Sequence, residues 1–152
     1  MKIFLAGIMQ GSYRSACVHD QSYRDSLQRI VQGYWSKAEV YDPFAKHTES
    51  VGYSSERARD VFCEHIRMCQ QFDVLIAYVP EASMGTAIEM WEAYTHRKFV
   101  ITITPLVCNW VVQITSNVIY ENVSTFVDSL RSGEIDRLMG HCLLYTSDAA
   151  DE

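Results

Sequence analysis

Two loops of this chain place glycines and small polar residues directly after apolar runs, a pattern typical of anion-binding sites. The first loop, residues 7–13, has the sequence GIMQGSY, and the second, residues 80–86, has the sequence PEASMGT. Glycines let backbone N–H groups approach an anion, and the N-terminus of a helix adds about half a positive charge. Together the loops predict a site for a phosphate or carboxylate, although each loop alone is more typical of an ordinary turn. The candidate binding residues are Gly7, Met9, Gln10, Gly11, Ser83 and Gly85.

Glu89 is the candidate with the sharpest chemistry, because it lies four residues after Gly85, near the start of a predicted helix. In one interpretation Thr86 and Glu89 form a capping box, in which the glutamate side chain bonds back to the Thr86 N–H. In the other, the helix dipole keeps the carboxylate ionised, and the side chain faces the crevice as a nucleophile. The spacing alone favours the capping box, and both interpretations stay open at this point.

The apolar pattern alternates between short runs and helical stripes, which predicts strands that alternate with helices. The predicted strands are 2–6, 39–41, 73–79, 99–103 and 118–120, and the predicted helices begin near 27, 54, 86, 108 and 123. Such alternation is typical of a parallel sheet with helices on both faces. We therefore predict an α/β fold: a doubly wound (flavodoxin-like) five-stranded parallel sheet in three α/β/α layers. Ligands of such sheets bind beside the loops after strands one and three, which are the two loops described above.

The length of 152 residues is enough for one domain with a single core. No composition shift or repeat marks a second domain, so we predict one domain over residues 1–144, with a surface loop at 42–55. The last residues, 145–152, have no apolar periodicity, and we expect a disordered or non-native tail there.

The charge balance and the cysteines exclude several classes of function. With 13 Lys and Arg against 19 Asp and Glu, the net charge is −6, which argues against a nucleic acid as partner. No apolar run reaches the roughly 18 residues of a membrane span, and the N-terminus is not typical of a signal peptide. The five cysteines form no CxxC pair, so we expect reduced thiols in a cytoplasmic protein and no metal site.

The segment DVLIAYVPEASMGTAIEMW, residues 73–91, resembles the signature of the nucleoside 2-deoxyribosyltransferase superfamily. Within that superfamily it is most similar to the nucleoside 5′-monophosphate N-glycosidases, which comprise 2′-deoxynucleoside 5′-phosphate N-hydrolases and their cytidylate-hydrolysing relatives. The moderately specific part is the run Ser83-Met84-Gly85 ahead of Glu89. The start KIFLAG, Asp73 and Asn109 support the resemblance, which covers roughly residues 2–130.

This resemblance implies that Glu89 takes the place of the family's nucleophile, which attacks the anomeric carbon of the sugar and forms a glycosyl-enzyme ester. Water then completes hydrolysis, or a second nucleobase completes transfer. The resemblance also implies a homodimer or higher homo-oligomer with active sites at subunit interfaces. No cofactor is expected, because a carboxylate and water suffice for this chemistry.

Position 83 bears on the choice between nucleoside and nucleotide. Transferases that act on nucleosides tend to carry an aspartate there, which accepts a hydrogen bond from the free 5′-hydroxyl group. Ser83 is neutral and can donate a hydrogen bond, so it favours a 5′-monophosphate. Asn109 resembles the residue that reaches the same phosphate from a neighbouring subunit, and its alternative role is a simple helix N-cap.

Two positions depart from the family pattern. Phe4 stands where the family usually has a tyrosine, so a hydroxyl group that would orient the nucleophile is absent. His65 stands eight residues before Asp73, where relatives often place a catalytic aspartate. A histidine can donate or accept a proton near neutral pH, so His65 either assists departure of the base or is an ordinary surface residue. We interpret Asp73 as a structural carboxylate that opens a strand.

Taken together, the residues favour a hydrolase that releases the base from a nucleoside 5′-monophosphate, with Glu89 and His65 as catalytic residues. One alternative is a nucleoside 2-deoxyribosyltransferase that exchanges bases. Another is a non-catalytic nucleotide-binding sensor, for which Phe4 and His65 are the warning signs. Three cations could add charge for a phosphate, and we interpret each as solvated: Arg14, Arg24 and Lys46.

Overall fold

The computed structural model describes residues 1–140, and the predicted tail at 145–152 lies outside them. Within the described residues the strands are β1 (Lys2–Gly7), β2 (Glu39–Tyr41), β3 (Val74–Tyr78), β4 (Phe99–Ile103) and β5 (Val118–Tyr120). They form one sheet in the order β2-β1-β3-β4-β5, in which every neighbouring pair is parallel. The predicted doubly wound five-stranded fold is therefore confirmed.

Helices connect each strand to the next, and two further helical segments follow the last strand. They are α1 (Ser22–Tyr34), α2 (Pro43–Lys46), α3 (Ser55–Cys69), α4 (Met84–Thr95), α5 (Trp110–Thr115) and α6 (Val123–Arg131), and residues 134–140 are also helical. Two boundaries differ from the sequence prediction. The segment 42–55 is not a plain loop, because it contains α2 and a short 3-10 turn at Ser50–Gly52. Helix α4 begins two residues earlier than the predicted start at Thr86.

Both faces of the sheet are buried, because alternate residues of each central strand point to opposite sides. On one face Ile3, Leu5 and Ile76 pack with residues of α1 and α6. On the other face Phe4, Ala6 and the neighbouring strand residues pack with residues of α3 and α4. This double burial explains why β1, β3 and β4 are continuous apolar runs rather than alternating ones.

The strand order reverses between β1 and β3, which are neighbours at the centre of the sheet. The chain moves from β1 outward to β2 on one side, and from β3 outward to β4 on the other. The register pairs Gly7 with Tyr78, so both strands end at the same level. The loops after these strands are therefore separated by a crevice at the carboxyl edge of the sheet, where ligands bind in this class of fold.

Candidate active site

A cleft of about 310 Å³ lies at this edge, between the loop after β1 and the start of α4. It brings together every predicted site residue except Asn109: Gly7, Met9, Gln10, Gly11, His65, Ser83, Gly85 and Glu89. Asn109 lines an adjoining cavity of about 380 Å³, together with Gly11 and Ser83. The two loops and the two candidate catalytic residues thus surround one space.

Glu89 is buried in this cleft, with 7% of its surface exposed. The capping-box interpretation is wrong, because α4 begins at Met84 with Ser83 as its N-cap, and Thr86 lies inside the helix. Glu89 therefore belongs to the second helical turn, where the helix dipole has little effect on a carboxylate. No residue within 1–140 donates a hydrogen bond to its carboxylate, which is free to meet a ligand.

Burial also sets the protonation of Glu89. Desolvation raises the pKa of its carboxyl group to about 7, while the nearby charge of Arg24 opposes that rise. The expectation that the helix dipole keeps the carboxylate ionised is therefore wrong, because desolvation outweighs the dipole at this position. A carboxyl group with a pKa near neutrality is ionised in a large fraction of molecules at pH 7, and its unpaired anion suits nucleophilic attack.

The start of α4 leaves room for a ligand group. The Ser83 hydroxyl group lies 2.9 Å from that of Thr86, and it makes no cap to the helix backbone. A Cβ atom added at Gly85 would meet nothing within 4 Å, so the first turn is open on that side. The loop after β3 consequently offers a hydroxyl group and uncapped N–H groups to the cleft.

The loop after β1 is held in a tight conformation. Gly11 has φ = +56°, a left-handed conformation that glycine adopts without strain. The His19 N–H donates to the Met9 carbonyl oxygen at 2.7 Å, and the His19 ring stacks on Tyr13 with ring centroids 4.1 Å apart. These contacts fold the loop back on itself, so the backbone of residues 9–11 faces the cleft as a formed surface.

Arg24 was interpreted from the sequence as solvated, and this is wrong. The side chain is 1% exposed and pairs with the buried carboxylate of Asp42 at 2.8 Å. Its guanidinium also donates to the carbonyl oxygens of Leu5 and Gly7, both at 3.0 Å, and to the Gln21 side chain at 2.7 Å. A guanidinium that donates four hydrogen bonds is thus buried under the end of β1, where Asp42 compensates its charge.

A signal for the burial of Arg24 is present in the sequence. Arg24 lies three residues before Leu27 and seven before Val31, on the buried stripe of α1. An arginine on an apolar stripe can be buried when a carboxylate faces it, and the Asp42 partner comes from the end of another strand. Periodicity could therefore indicate that Arg24 is buried, but not which partner it has.

His65 is buried rather than exposed, so its interpretation as an ordinary surface histidine is wrong. Its Nε2 atom lies 3.3 Å from the hydroxyl oxygen of Tyr41, and its ring centroid lies 5.2 Å from that of His47. Burial, followed by the neighbouring His47, lowers the pKa of the His65 imidazole. His65 is therefore largely neutral at pH 7 but becomes a stronger acid when it is protonated. Neither Tyr41 nor His47 was identified as a site residue from the sequence.

The remaining candidates have structural contacts. Phe4 lies in the core, and its ring centroid is 5.7 Å from that of Tyr41 and 5.4 Å from that of Phe72. As a phenylalanine, it brings no hydroxyl group to this position. Asp73 accepts a hydrogen bond from the Lys2 N–H at 2.7 Å, in line with its structural interpretation. Asn109 caps α5 by accepting from the Val111 and Val112 N–H groups, so its N-cap role is present.

Several findings concern the described residues as a whole. Within residues 1–140, no helix is long and apolar enough to cross a membrane. In the same range, no group of three His, Cys, Asp or Glu side chains is placed to hold a metal ion. The cysteines of that range are free thiols, namely Cys17, Cys63, Cys69 and Cys108.

Comparison with known proteins identifies similar folds. No protein-family model matches the chain, and no curated protein matches it. Among solved structures, the 2-deoxyribosyltransferase of Bacillus psychrosaccharolyticus is 17% identical, with a TM-score of 0.62 over 80% of this chain and 87% of that one. The CMP N-glycosidase BcmB of Clostridium botulinum is 19% identical, with a TM-score of 0.54 over 86% and 98%.

A conserved protein from Enterococcus faecalis V583 is also similar, at 15% identity and a TM-score of 0.58 over 86% of this chain and 97% of that one. These comparisons support the predicted resemblance at the level of the fold alone, which this chain shares with a 2-deoxyribosyltransferase and a CMP N-glycosidase.

Proposed function

We propose that this protein is an N-glycosidase that hydrolyses the bond between base and sugar in a nucleoside 5′-monophosphate. The observation that carries the proposal is the cleft in which a buried carboxylate without a hydrogen-bond partner, Glu89, meets two anion-binding loops and His65. The fold shared with a CMP N-glycosidase supports this choice of reaction.

In the proposed first step, a carboxylate oxygen of Glu89 forms a bond to the anomeric carbon of the sugar. The bond from that carbon to the base nitrogen breaks, and its electron pair leaves with the base. His65 lines the same cleft and supplies the proton that the departing base takes up. Water then attacks the anomeric carbon and gives one proton to the now neutral His65. The bond from that carbon to Glu89 breaks, which releases the sugar 5-phosphate and restores both the Glu89 carboxylate and the protonated His65.

The 5′-phosphate is proposed to bind between the two loops. Ser83 and Gly11 line both the cleft and the adjoining cavity, so a phosphate held there would lie beside the sugar at Glu89. Ser83 donates a hydrogen bond, where an aspartate would repel the charge. Asn109 lines the adjoining cavity in the same chain, so a subunit could use its own Asn109 or that of a neighbour.

A homodimer is part of this proposal. Helices α4 and α5 expose large apolar side chains beside the adjoining cavity, of which Trp110 is 79% and Trp91 53% exposed. Monomeric proteins rarely expose contiguous apolar patches of more than a few hundred Å². A second copy that covers this face would also border the proposed phosphate site.

We further propose that the protein acts in the cytoplasm, where nucleotides are available and its cysteines stay reduced.

Base exchange is the second candidate, and the fold shared with a 2-deoxyribosyltransferase favours it. In that reaction the second nucleobase, rather than water, attacks the sugar carbon of the intermediate. Added free base would then speed up turnover and appear on the sugar, whereas a hydrolase would show slower or unchanged release.

The test is incubation of purified protein with ribo- and deoxyribonucleoside 5′-monophosphates, with free base measured by chromatography. Glu89→Gln is the inactive variant, and Glu81→Gln, on an exposed residue of the same region, is the matched control. Base release that is lost in Glu89→Gln and kept in Glu81→Gln supports the proposal. Tight nucleotide binding without base release would contradict it and would favour the sensor.

A further inference from the structure

A cavity of about 570 Å³, to which the proposed reaction assigns no role, lies beside the cleft that holds Glu89. We call it the histidine cavity, and its lining includes His47, Val51, Tyr53, Arg59, Phe62 and His65. Phe62 and His65 also line the cleft that holds Glu89, so the two spaces adjoin. A ligand whose reacting carbon lies at Glu89 can therefore extend into the histidine cavity.

Two ring nitrogens in this cavity lack a protein partner. Nδ1 of His47 lies 3.0 Å from the Tyr53 hydroxyl oxygen, and Nε2 of His65 lies 3.3 Å from that of Tyr41. The other nitrogen of each ring makes no hydrogen bond within residues 1–140. Polar atoms in binding sites are normally satisfied, so these two nitrogens are available to a ligand that offers complementary donors or acceptors.

The apolar part of the lining suits a flat ring. Phe62 and Val51 are both 41% exposed, although each is a large apolar side chain. Aromatic rings gain by stacking on planar heterocycles, and an aliphatic side chain can cover the opposite face. Arg59, an exposed residue of the lining, could attract an anion. The apolar side chains and free imidazole nitrogens nevertheless favour a nucleobase, because a phosphate gains nothing from an apolar surface.

The position of His47 is fixed by the same buried pair that supports the end of β1. Arg24 forms an ion pair with Asp42. Asp42 is the N-cap of α2, and its carboxylate accepts a hydrogen bond from the backbone N–H of Phe44 at 2.9 Å. His47 is the C-cap of this helix, and its backbone N–H donates a hydrogen bond to the Phe44 carbonyl oxygen at 3.0 Å. The backbone that carries the His47 imidazole is therefore held in place by hydrogen bonds. A side chain on such a backbone loses less conformational freedom when it binds a ligand.

We propose that the histidine cavity binds the nucleobase and that Nε2 of His47 selects the base by a hydrogen bond. In the tautomer that we propose, the Tyr53 hydroxyl group is the donor to Nδ1, 3.0 Å away. The Nε2–H group is then left to donate to a ring nitrogen or carbonyl oxygen of the base. The inference rests on the proposed function, because the base is the substrate group attached to the sugar carbon at Glu89. It adds a specificity-determining residue from a segment outside both anion-binding loops.

The first test measures binding of free adenine, guanine, cytosine and uracil, and separately of ribose 5-phosphate, by calorimetry. His47→Asn keeps a polar group near Nδ1 but cannot reach the position of Nε2, whereas His47→Gln can. We expect His47→Asn to weaken binding of the preferred base about tenfold or more, which is the loss of one good hydrogen bond, and His47→Gln to restore part of it. Ribose 5-phosphate binding should stay unchanged.

The control is His96→Asn, which alters an exposed histidine at the end of α4. Tyr53→Phe is a second variant, which frees the His47 ring and should weaken base binding less than His47→Asn does. Equal base binding by His47→Asn and wild type, or equal losses for base and ribose 5-phosphate, would overturn the inference. If wild type releases base from nucleotides yet binds no free base in a His47-dependent way, the inference fails and the proposed function stands.

The second test is catalytic and separates specificity from general damage. The ratio of kcat/KM values between the best and the next best nucleotide should fall about tenfold in His47→Asn. A purely structural role would lower kcat/KM for all nucleotides equally and leave the ratio unchanged, which would overturn the inference. If wild type neither releases base from any nucleotide nor binds any free base, both proposals fail together.

Discussion

Arg24 donates a hydrogen bond to the Gly7 carbonyl oxygen at 3.0 Å, so a buried cation supports the residue at which β1 ends and the first glycine-containing loop begins. The same guanidinium pairs with Asp42, which begins the turn that carries His47. Its charge also counteracts the rise in the pKa of Glu89. One side chain therefore links Glu89, the loop after β1 and the turn after β2.

Replacing Arg24 tests this link. Arg24→Met leaves the buried Asp42 carboxylate without a partner, and we expect a loss of about 3 kcal/mol or more in the free energy of unfolding. Arg24→Lys keeps the charge but cannot make all the hydrogen bonds of a guanidinium, so we expect a smaller loss. Denaturant titration measures both, with Arg29→Met as control because Arg29 is exposed on the same helix. A loss in Arg24→Met no larger than in Arg29→Met would contradict the prediction.

Glu89 is expected to lower stability at neutral pH. Its folded-state pKa is raised to about 7 from a usual value of 4.5, so the folded state binds the proton more tightly than the unfolded chain. The free energy of unfolding should therefore fall as pH rises from about 4.5 to 7, by about 3 kcal/mol if the whole shift is expressed.

Glu89→Gln mimics the protonated side chain and should remove this loss. We expect the variant to be more stable than wild type at pH 8 and similar to it at pH 4, while it releases no base. Denaturant titrations at the two pH values measure the difference, with Glu81→Gln as the exposed control. A stability difference that does not change with pH would mean that Glu89 titrates at its ordinary pKa.

The sequence predicted the sheet well because the physical signals for it are local. A parallel strand buried on both faces is a continuous apolar run, and β3 and β4 show that pattern directly. The crevice follows from the strand order, so the sequence alone predicts that the two glycine-containing loops and Glu89 lie near one another. These are the parts of the site that lie on or beside regular elements.

The rest of the site depends on contacts that no local pattern encodes. Tyr41 ends β2, whereas His47 and Tyr53 come from the following segment, which has no regular periodicity. Tyr41 and His47 contact His65 only in the folded chain, and Tyr53 contacts His47. The start of α4 was misplaced because Ser83 and Thr86 are both good N-cap residues, and spacing alone favoured the later one. Burial of Glu89, which decides its protonation, is likewise a property of the folded chain.

Gly11 is expected to tolerate no side chain. At φ = +56° an alanine is strained, and its Cβ atom would lie 2.6 Å from Nε2 of His19 and 2.8 Å from Cδ1 of Ile8. We expect Gly11→Ala to cost about 1–2 kcal/mol in stability and to raise the KM for a nucleoside 5′-monophosphate, because the loop must move away from the proposed phosphate site. Gly52→Ala is the control, since a Cβ atom there meets nothing within 4 Å. An unchanged KM in Gly11→Ala would exclude a binding role for this loop conformation.

The apolar face of α4 and α5 predicts self-association. We expect wild type to sediment as a dimer, and Trp91→Ser combined with Trp110→Ser to shift it to the monomer, because these indoles are exposed in the single chain. Sedimentation equilibrium measures the mass, and Leu138→Ser, at an exposed apolar residue outside this face, is the control. A wild-type monomer at high protein concentration would contradict the predicted dimer.

The pH dependence of base release tests whether His65 acts as the acid. The reaction needs ionised Glu89, with a pKa of about 7, and protonated His65, whose pKa is lowered by burial and by His47 although Glu64 opposes the shift. His65, the acid, has a lower pKa than Glu89. Molecules in which His65 is protonated while Glu89 is ionised are therefore a minority at every pH. Wild-type kcat/KM should therefore fall above about pH 7 as well as below the pKa of His65.

His65→Gln removes the proton donor, so only the ionisation of Glu89 remains. We expect the variant to be slower, about 100-fold or more for loss of a general acid, and its kcat/KM to rise through about pH 7 to a plateau. The profile of wild type measured beside it supplies the contrast, with His96→Gln as control for loss of an exposed imidazole. A wild-type profile that already rises to a plateau above pH 7 would show that the base leaves without a proton from His65.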